Sequence, residues 1–286
     1  ALDQLLFKFR QPKTSAADAY FFLDTDFGRV RVLDSGTPGP VIVNVPDGPC
    51  VIEHQLALIR ELSSRFRVVC FEYPGLGFSY PNPQFDYSCR SGADLLVQLM
   101  DILAIPAAAL LYSCSNGFYA LQAAQDHPDR ISRLFLSQTP SLDAMSIWSQ
   151  RSVPNILKLP YIGQLANAVL AKKLVNVWYR YSLPRYHPER PEYTRTAEAA
   201  LAEGGCFCLA SLTQGLAEER YTRISVAQVP TTLVWGPRDF THRHTDKASI
   251  LDHAKDCEII EFADCGHFPE LEDTARYASL ITERLS

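Results

Sequence analysis

The segment around Ser115 constrains the fold of this chain more than any other. The apolar run 110–112 leads into five small or polar residues, 113–117 (Ser-Cys-Ser-Asn-Gly), and a helix-forming run, 118–124, follows at once. We expect a strand, a sharp strained turn and a helix, with the Ser115 hydroxyl at the apex of the turn. The backbone N–H of Asn116 would then lie at a helix N-terminus and bind a developing oxyanion. An ordinary polar turn between two buried elements would show the same residue pattern, so the choice between the two interpretations depends on the rest of the chain.

A serine nucleophile needs an imidazole base, and the base needs a carboxylate that orients it. His267 stands in a loop just after a short strand-like run, 257–262. Asp239 stands in a turn after the apolar, β-rich run 231–236. Both would lie beyond the carboxyl edge of a parallel sheet, where such folds carry their chemistry. We therefore predict that Ser115, Asp239 and His267 form a catalytic triad.

The order of these three residues along the chain resembles that of the α/β-hydrolase fold superfamily, in particular its capped serine hydrolases. Residues 68–79 resemble the family's strand and loop with the pattern acid-x-x-Gly-x-Gly-x-Ser, although Glu72 stands where aspartate is more usual. Residues 127–136 resemble the family's helix end and following strand. The resemblance covers nearly the whole chain and implies the α/β class, with a doubly wound, mostly parallel sheet and an inserted helical cap.

Hydrophobic periodicity agrees with this fold and divides the chain. Strands alternate with helices in the first half, a rhythm typical of a mostly parallel sheet. The middle of the chain lacks a convincing strand and reads as several helices separated by prolines and a Gly-Gly pair. We expect residues 1–139 and 229–286 to form the α/β-hydrolase core, and 140–228 the cap. Some aromatic residues of the cap would roof a pocket over Ser115, which indicates a substrate with a sizeable apolar portion.

Asp47 departs from the family pattern. The family usually carries a His-Gly pair after its third strand, and this loop supplies the second N–H of the oxyanion hole; here the loop reads Pro-Asp-Gly-Pro-Cys over 46–50. An ionised carboxylate would oppose an oxyanion, so we expect the Asp47 side chain to turn away and bond local backbone N–H groups. Gly48 is the predicted second donor, Cys50 is the alternative, and Pro49 has no N–H to give.

These residues predict acyl transfer to water. His267 would remove the Ser115 proton as the hydroxyl attacks an ester or thioester carbonyl, and Asp239 would stabilise the imidazolium. The N–H groups of Asn116 and Gly48 would bind the oxyanion. The reaction needs no cofactor and no metal, and we predict none. A serine instead of an aspartate at the apex disfavours dehalogenase and epoxide hydrolase chemistry.

Three other functions fit the same residues. The triad would serve an acyltransferase that passes the acyl group to an alcohol or thiol acceptor. Related scaffolds also run cofactor-free lyase reactions or hydrolyse carbon–carbon bonds. A ligand receptor with a relic triad is the non-enzymatic alternative, and the unusual Asp47 favours it. Excess free acid released from ester and thioester panels would indicate hydrolysis.

Composition limits the partners. The net charge of −5 and the lack of a basic run argue against nucleic acid and anionic membranes, and favour a small-molecule acyl substrate. The longest apolar stretch, 104–112, is too short to cross a bilayer. The first residues lack the features of a signal peptide. Nothing in the sequence predicts an oligomeric state.

The cysteines indicate a reducing, cytoplasmic environment. Of the eight cysteines, Cys70 lies in an apolar strand, Cys114 lies beside Ser115 and Cys265 lies close to His267. These positions are typical of small buried hydrophobic residues in a reducing compartment. The Cys-Phe-Cys run at 206–208 has the wrong spacing for a zinc knuckle. The segment 242–246 carries two histidines and an aspartate and would bind a metal only as a strand; we expect a solvated loop.

Overall fold

The computed structural model describes residues 2–7, 20–219, 224 and 226–286. The remaining parts of the predicted core and cap, namely residue 1, 8–19, 220–223 and 225, lie outside the described residues. Its strands are β1 (Tyr20–Thr25), β2 (Gly28–Asp34), β3 (Val41–Asn44), β4 (Arg67–Phe71), β5 (Leu76–Gly77), β6 (Tyr80–Pro81), β7 (Ala108–Ser113), β8 (Ile131–Ser137), β9 (Cys206–Phe207), β10 (Thr231–Trp235) and β11 (Glu258–Glu261). Its α-helices are α1 (Leu2–Phe7), α2 (Leu56–Leu62), α3 (Cys89–Ile102), α4 (Gly117–Asp126), α5 (Leu142–Ser152), α6 (Ile162–Ser182), α7 (Arg190–Ala202), α8 (Leu209–Glu219), α9 (Pro269–Glu272) and α10 (Thr274–Leu285).

One large sheet organises the fold, with strand order β1-β2-β4-β3-β7-β8-β10-β11 and β6 beside β2. The pairs that involve β2 are antiparallel, and every pair from β4 to β11 is parallel. The doubly wound, mostly parallel sheet predicted from the sequence is therefore confirmed. At the start of the sheet, β1 and β2 form a hairpin around a turn at Asp26 and Phe27.

Strand β7 lies at the centre of this sheet, and all six of its residues are buried. Leu110 and Tyr112 pack into the hydrophobic cluster that includes α3 and α4, whereas Ala109 and Leu111 pack into the cluster that includes α2 and α10. This alternation follows from the two-residue period of a strand whose two faces are both covered by helices. Burying each leucine side chain contributes about 1.5–3 kcal/mol, so the central strand is firmly held.

The inserted cap consists of α5 to α8, which lie between β8 and β10 along the chain. The prediction of a purely helical insertion was incomplete, because the short strand β9 pairs antiparallel with β5 in a separate two-stranded sheet. Two-residue strands are too short to show the periodic pattern by which strands are found in a sequence. This pairing ties the cap to the loop that follows β4. No helix among the described residues is both long enough and apolar enough to cross a membrane.

A second tie joins the cap to the loop after β3. Tyr179 of α6 is fully buried, and its hydroxyl lies 3.2 Å from Cys50 Sγ and 3.2 Å from His54 Nε2. The other ring nitrogen of His54 accepts the Val51 N–H at 3.0 Å, while Nε2 also contacts the Tyr193 carbonyl of α7 at 3.0 Å. His54 therefore holds the cap on the core.

The unusual Glu72 is the centre of a buried ionic cluster. Arg31 of β2 donates from Nε to Glu72 at 3.1 Å and from Nη1 to Glu53 at 2.7 Å. The Glu72 carboxylate also accepts the backbone N–H groups of Ile52 at 3.0 Å and Phe78 at 2.8 Å. The longer glutamate thus fastens β2, the end of β4 and two loops to one point. One of these loops carries Asp47.

We predict that Arg31→Met lowers the free energy of unfolding by about 3–5 kcal/mol, because it leaves the buried Glu72 charge without a partner. The matched control is Arg90→Met, which removes an arginine whose side chain is 68% exposed and pairs with Asp126. That change should cost less than about 1 kcal/mol. Urea denaturation at pH 7 measures both values, and equal losses would contradict the account of Glu72.

Candidate active site

The turn after β7 has its apex at Cys114. Cys114 has a φ of 51°, in the left-handed region, and its sulfur is almost fully buried. The prediction that Ser115 occupies the apex was wrong by one residue. Residues Cys114–Asn116 form a 3-10 turn and α4 begins at Gly117, so the strained residue is the first one after the strand. The Thr139 hydroxyl donates to the Cys114 carbonyl at 3.0 Å and supports this conformation.

Ser115 lies one position beyond the apex and is half-buried. No hydrogen bond joins its hydroxyl to His267 in the described part of the chain. Its backbone N–H lies beside the Cys114 thiol and opposes the rise in the pKa of that thiol. The N–H that follows the apex residue is that of Ser115, and the Asn116 N–H, predicted as an oxyanion donor, lies one residue further along the turn. The Asn116 side chain donates from Nδ2 to the Pro46 carbonyl at 3.2 Å and ties the turn to the loop after β3.

The structure brings His267 and Asp239 together. His267 Nδ1 lies 2.6 Å from Asp239 Oδ2, and both side chains are buried. Asp239 Oδ1 accepts the backbone N–H of Thr241 at 2.8 Å and its hydroxyl at 2.7 Å. Gln138, which sequence reasoning missed, donates to Asp239 Oδ2 at 3.1 Å and accepts the Gly236 N–H at 2.8 Å. These bonds fix the carboxylate and therefore the orientation of the imidazole.

The second nitrogen of His267 bonds Asp47. Its Nε2 lies 3.1 Å from Asp47 Oδ2, and Asp47 is only 3% exposed. The prediction that the Asp47 side chain turns away from the site was therefore wrong, although the adjacent Gly48 N–H does act to lower the pKa of its carboxyl. Polar atoms of Asp47, Cys114 and His267 all lie within 4.8 Å of one another. Thiol, imidazole and carboxylate thus form one compact group.

Most of the backbone N–H groups in the loop after β3 already interact with other groups of the protein. The Gly48 N–H, predicted as the second oxyanion donor, lies beside the Asp47 carboxylate and acts to lower its pKa. Pro49 has none, and the Cys50 N–H donates to the Asp47 carbonyl at 2.7 Å. Further along, the N–H groups of Val51 and Ile52 bond the side chains of His54 and Glu72.

Charge and burial compete in this group. Burial would lower the pKa of His267, but the charge of Asp239 and the bonds to both aspartates outweigh it and raise the pKa well above 6.5. Burial would raise the pKa of Asp239, but the charge and hydrogen bond of His267 lower it below 3.8. Burial does raise the pKa of Asp47, and it raises the pKa of the Cys114 thiol to about 11. At rest the imidazole is charged and the thiol carries its proton.

His242 completes the surroundings of the imidazole. It was expected in a solvated loop but is buried, with its ring stacked on Trp148 at a centroid distance of 4.8 Å and 5.4 Å from the His267 ring. Burial lowers the pKa of His242 to about 3, so it is neutral beside the charged His267. Ligand atoms of Asp239, His242 and His267 also lie within 4.8 Å of one another. Because both His267 nitrogens already share protons with carboxylates, this arrangement favours proton transfer over metal binding.

Two tryptophans of the cap stand between the thiol and the surface. A small cavity of about 40 Å³ is bordered by Asp47, Cys114 and Ser115 together with Trp148 and Trp178. An outer cleft of about 520 Å³ is bordered by the same two tryptophans. Their rings meet edge to face at a centroid distance of 5.8 Å. They therefore separate the inner cavity from the cleft.

The reactive side chains come from the carboxyl ends of neighbouring parallel strands. Asp47 follows β3, Cys114 follows β7, Asp239 follows β10 and His267 follows β11. The family model described as "alpha/beta hydrolase fold" matches residues 40–274. The chain belongs to the alpha/beta hydrolase fold family. The sheet order and the site at this edge agree with that membership.

Similar proteins show how widely this hydrolase fold is used. A 2-hydroxymuconate semialdehyde hydrolase from a Pseudomonas species is 24% identical over 270 residues, which cover 90% of each chain. Haloalkane dehalogenase 2 from Mycobacterium bovis is 22% identical over a matched region that covers 92% of this chain and 93% of the dehalogenase. The crystal structure of an enol-lactonase from Burkholderia xenovorans superposes with a TM-score of 0.73 at 18% identity, and covers 93% of this chain and 99% of the lactonase. These named relatives are all hydrolytic enzymes of one fold with different substrates.

One further buried acid lies near the imidazole of this hydrolase fold. Glu270 of α9 is 3% exposed, accepts the Ser113 hydroxyl at 3.3 Å through Oε1, and has no partner for Oε2 among the described residues. Burial raises the pKa of Glu270 from 4.5 to about 8. Glu270 therefore stays protonated in the folded protein where it would ionise in the unfolded chain.

We predict that Glu270→Gln stabilises the protein more at pH 8 than at pH 5. A carboxyl whose pKa is raised by folding favours the folded state below its unfolded pKa, and this contribution is lost as the pH rises from about 4.5 to about 8. Glutamine does not ionise, so the melting temperature relative to wild type should rise by roughly 5 °C between the two pH values. The exposed Glu61→Gln serves as the control and should show no such trend. An equal difference at both pH values would contradict the burial argument.

Proposed function

We propose that this protein is a cysteine-dependent hydrolase that cleaves an ester, thioester or related acyl bond of a partly apolar small molecule. Cys114 is the nucleophile, His267 the base and Asp239 the acid that orients the base. The observation that carries the proposal is the strained backbone of Cys114, which holds its sulfur against an imidazole fixed by a carboxylate. The predicted serine hydrolase thus becomes a thiol hydrolase on the same framework.

The chemistry has two steps. The Cys114 proton passes to the neutral form of His267 as the sulfur attacks the carbonyl carbon, and the carbonyl pair moves onto oxygen. The oxygen–carbon double bond then re-forms, the bond to the leaving alcohol or thiol breaks, and His267 gives its proton to that group. In the second step a water gives its proton to His267 and attacks the thioester. The acid leaves, and the thiol regains its proton.

The Ser115 N–H would bind the oxyanion in both steps. It belongs to the residue after the apex, and this is the position that supplies an oxyanion donor in this kind of turn. A thiol also suits this buried position. Burial raises the pKa of Cys114 only to about 11, which remains within reach of an adjacent base, whereas a serine hydroxyl is a much weaker acid.

The outer cleft is the proposed binding site for the apolar part of the substrate. Four of its lining side chains are large, apolar and 43–52% exposed: Ile147, Val177, Tyr181 and Phe240. Exposed apolar side chains that line one concave cleft are typical of ligand sites. The inner cavity holds only a few waters at its present volume, so the Trp148–Trp178 pair must separate for an acyl group to reach Cys114.

We predict that Cys114→Ala lowers hydrolysis of p-nitrophenyl butyrate by at least about a thousandfold, since loss of a nucleophile removes the covalent route. Ser115→Ala is the matched control. Because only its backbone N–H takes part, this variant should keep more than about a tenth of the activity. Initial rates at pH 7.5, with melting temperatures close to wild type, measure both.

Two results would count against this assignment. Full activity in Cys114→Ala together with loss in Ser115→Ala would restore serine as the nucleophile. Loss in neither variant would exclude a covalent intermediate at this turn. Product analysis in the same assay separates hydrolysis, which releases free acid without an added acceptor, from acyl transfer, which requires one.

We also predict that Trp178→Ala shifts chain-length preference. Joining the two cavities makes room behind the thiol, so the ratio of kcat/KM for p-nitrophenyl octanoate over butyrate should rise about tenfold. Tyr186→Ala, which removes an aromatic side chain that is 82% exposed and lies outside this cleft, should leave the ratio unchanged. Steady-state kinetics on the two esters decide, and an unchanged ratio in Trp178→Ala would contradict the role of the tryptophan pair.

A further inference from the structure

The mechanism lacks one oxyanion donor. The Ser115 N–H supplies the first, and the loop after β3 is where this fold takes the second. In that loop the Gly48 N–H stabilises the adjacent Asp47 carboxylate, Pro49 has no N–H and the Cys50 N–H donates to the Asp47 carbonyl. Loss of one such donor slows a reaction about 100- to 1000-fold, so its replacement matters for the rate.

Asp47 is the polar side chain that this loop directs at the reacting atoms. It borders the inner cavity together with Cys114 and Ser115, and its Oδ2 lies 3.1 Å from His267 Nε2. The ionised form of Asp47 would hinder the reaction in two ways. It occupies the nitrogen that must receive the thiol proton, and its charge would repel an oxyanion. The neutral carboxylic acid has neither effect, because it then carries a donor O–H.

We propose that Asp47 is a catalytic residue that takes the Nε2 proton of His267 and, as a neutral acid, donates the second hydrogen bond to the oxyanion. This inference rests on the proposed cysteine nucleophile. Asp47 thus frees the His267 nitrogen that accepts the thiol proton, and it also completes the oxyanion hole.

The protons balance. At rest Nε2 carries a proton that it shares with the Asp47 carboxylate, and the sulfur carries another. The first moves to Asp47, which leaves a neutral imidazole with Nδ1 still donating to Asp239. The second moves from sulfur to Nε2 as the sulfur–carbon bond forms and the carbonyl pair shifts to oxygen. The group then holds a neutral Asp47, an imidazolium and an oxyanion, with no proton gained or lost.

The surroundings favour the neutral form of Asp47. Its side chain is buried, which raises the pKa of the carboxyl, and the negative charge of Asp239 acts in the same direction. His267 and the Gly48 N–H oppose this, and once the imidazole has become neutral the largest opposing charge is gone. The other groups facing the cluster, Cys50, Glu270 and Tyr179, are buried, and burial raises the pKa of each, so they stay uncharged near neutral pH. Buried carboxylic acids that stay neutral are effective oxyanion donors.

The test compares a reaction that forms an oxyanion with one that does not. Acylation of the full-length protein by p-nitrophenyl butyrate passes through an oxyanion, whereas alkylation of Cys114 by iodoacetamide does not. Asp47→Ala removes the donor and should slow acylation about 100- to 1000-fold without slowing alkylation. Asp47→Asn keeps a neutral donor. It cannot take the Nε2 proton, but it also removes the carboxylate that raises the His267 pKa, so less of the base is charged at rest and this variant should acylate within about tenfold of wild type.

Glu270→Gln is the matched control, because it removes another buried acid near the same imidazole without touching the cavity lining. It should acylate within about threefold of wild type. Three results would overturn the proposal. The first is acylation in Asp47→Ala as fast as in wild type, which would mean that Asp47 only occupies the nitrogen of the base. The second is acylation in Asp47→Asn as slow as in Asp47→Ala, and the third is a parallel loss of alkylation in Asp47→Ala. If neither probe reacts with Cys114 of the wild-type protein, the proposed nucleophile fails instead, and the two failures are distinguished.

Discussion

His267 is held between two buried carboxylates, and the rest of the site is arranged around that contact. Asp239 fixes Nδ1 and Asp47 fixes Nε2, so the imidazole has neither rotational freedom nor a free nitrogen at rest. An ion pair buried this deeply loses its hydration, and it persists only because each partner has further hydrogen bonds. Gln138 and Thr241 supply them to Asp239, and the adjacent Gly48 N–H stabilises the charge of Asp47.

The parallel sheet brings the loops of the site to one edge. Asp47 and His267 are more than 200 positions apart and follow β3 and β11, which are separated by three strands, so their loops must extend across this edge to meet. The buried cluster of Arg31 and Glu72 anchors the loop that carries Asp47. The cap closes the site through Tyr179 and the short β9 strand, and two tryptophans complete the barrier.

Periodicity and chain order predicted the fold, the helical cap, and the pairing of Asp239 with His267. The apex of the turn was missed by one residue, because Ser113, Cys114 and Ser115 are all small and only the backbone conformation separates them. Asp47 and His242 were misplaced for a different reason. A polar residue in a loop is solvated by default, and only the packing of other elements over it, here Trp148 on His242, reveals that it is buried. No sequence pattern indicated Gln138, since its role depends on contacts with the loop after β10, about a hundred residues away.

The account depends on which atom at the turn becomes acylated. Mixing the protein with p-nitrophenyl butyrate, quenching in acid and mapping the butyrylated peptide by tandem mass spectrometry would identify it. We predict an adduct on the sulfur of Cys114 that neutral hydroxylamine removes, as it removes thioesters. An adduct on the Ser115 oxygen that resists neutral hydroxylamine, or turnover with no adduct on the peptide that contains both residues, would contradict the account.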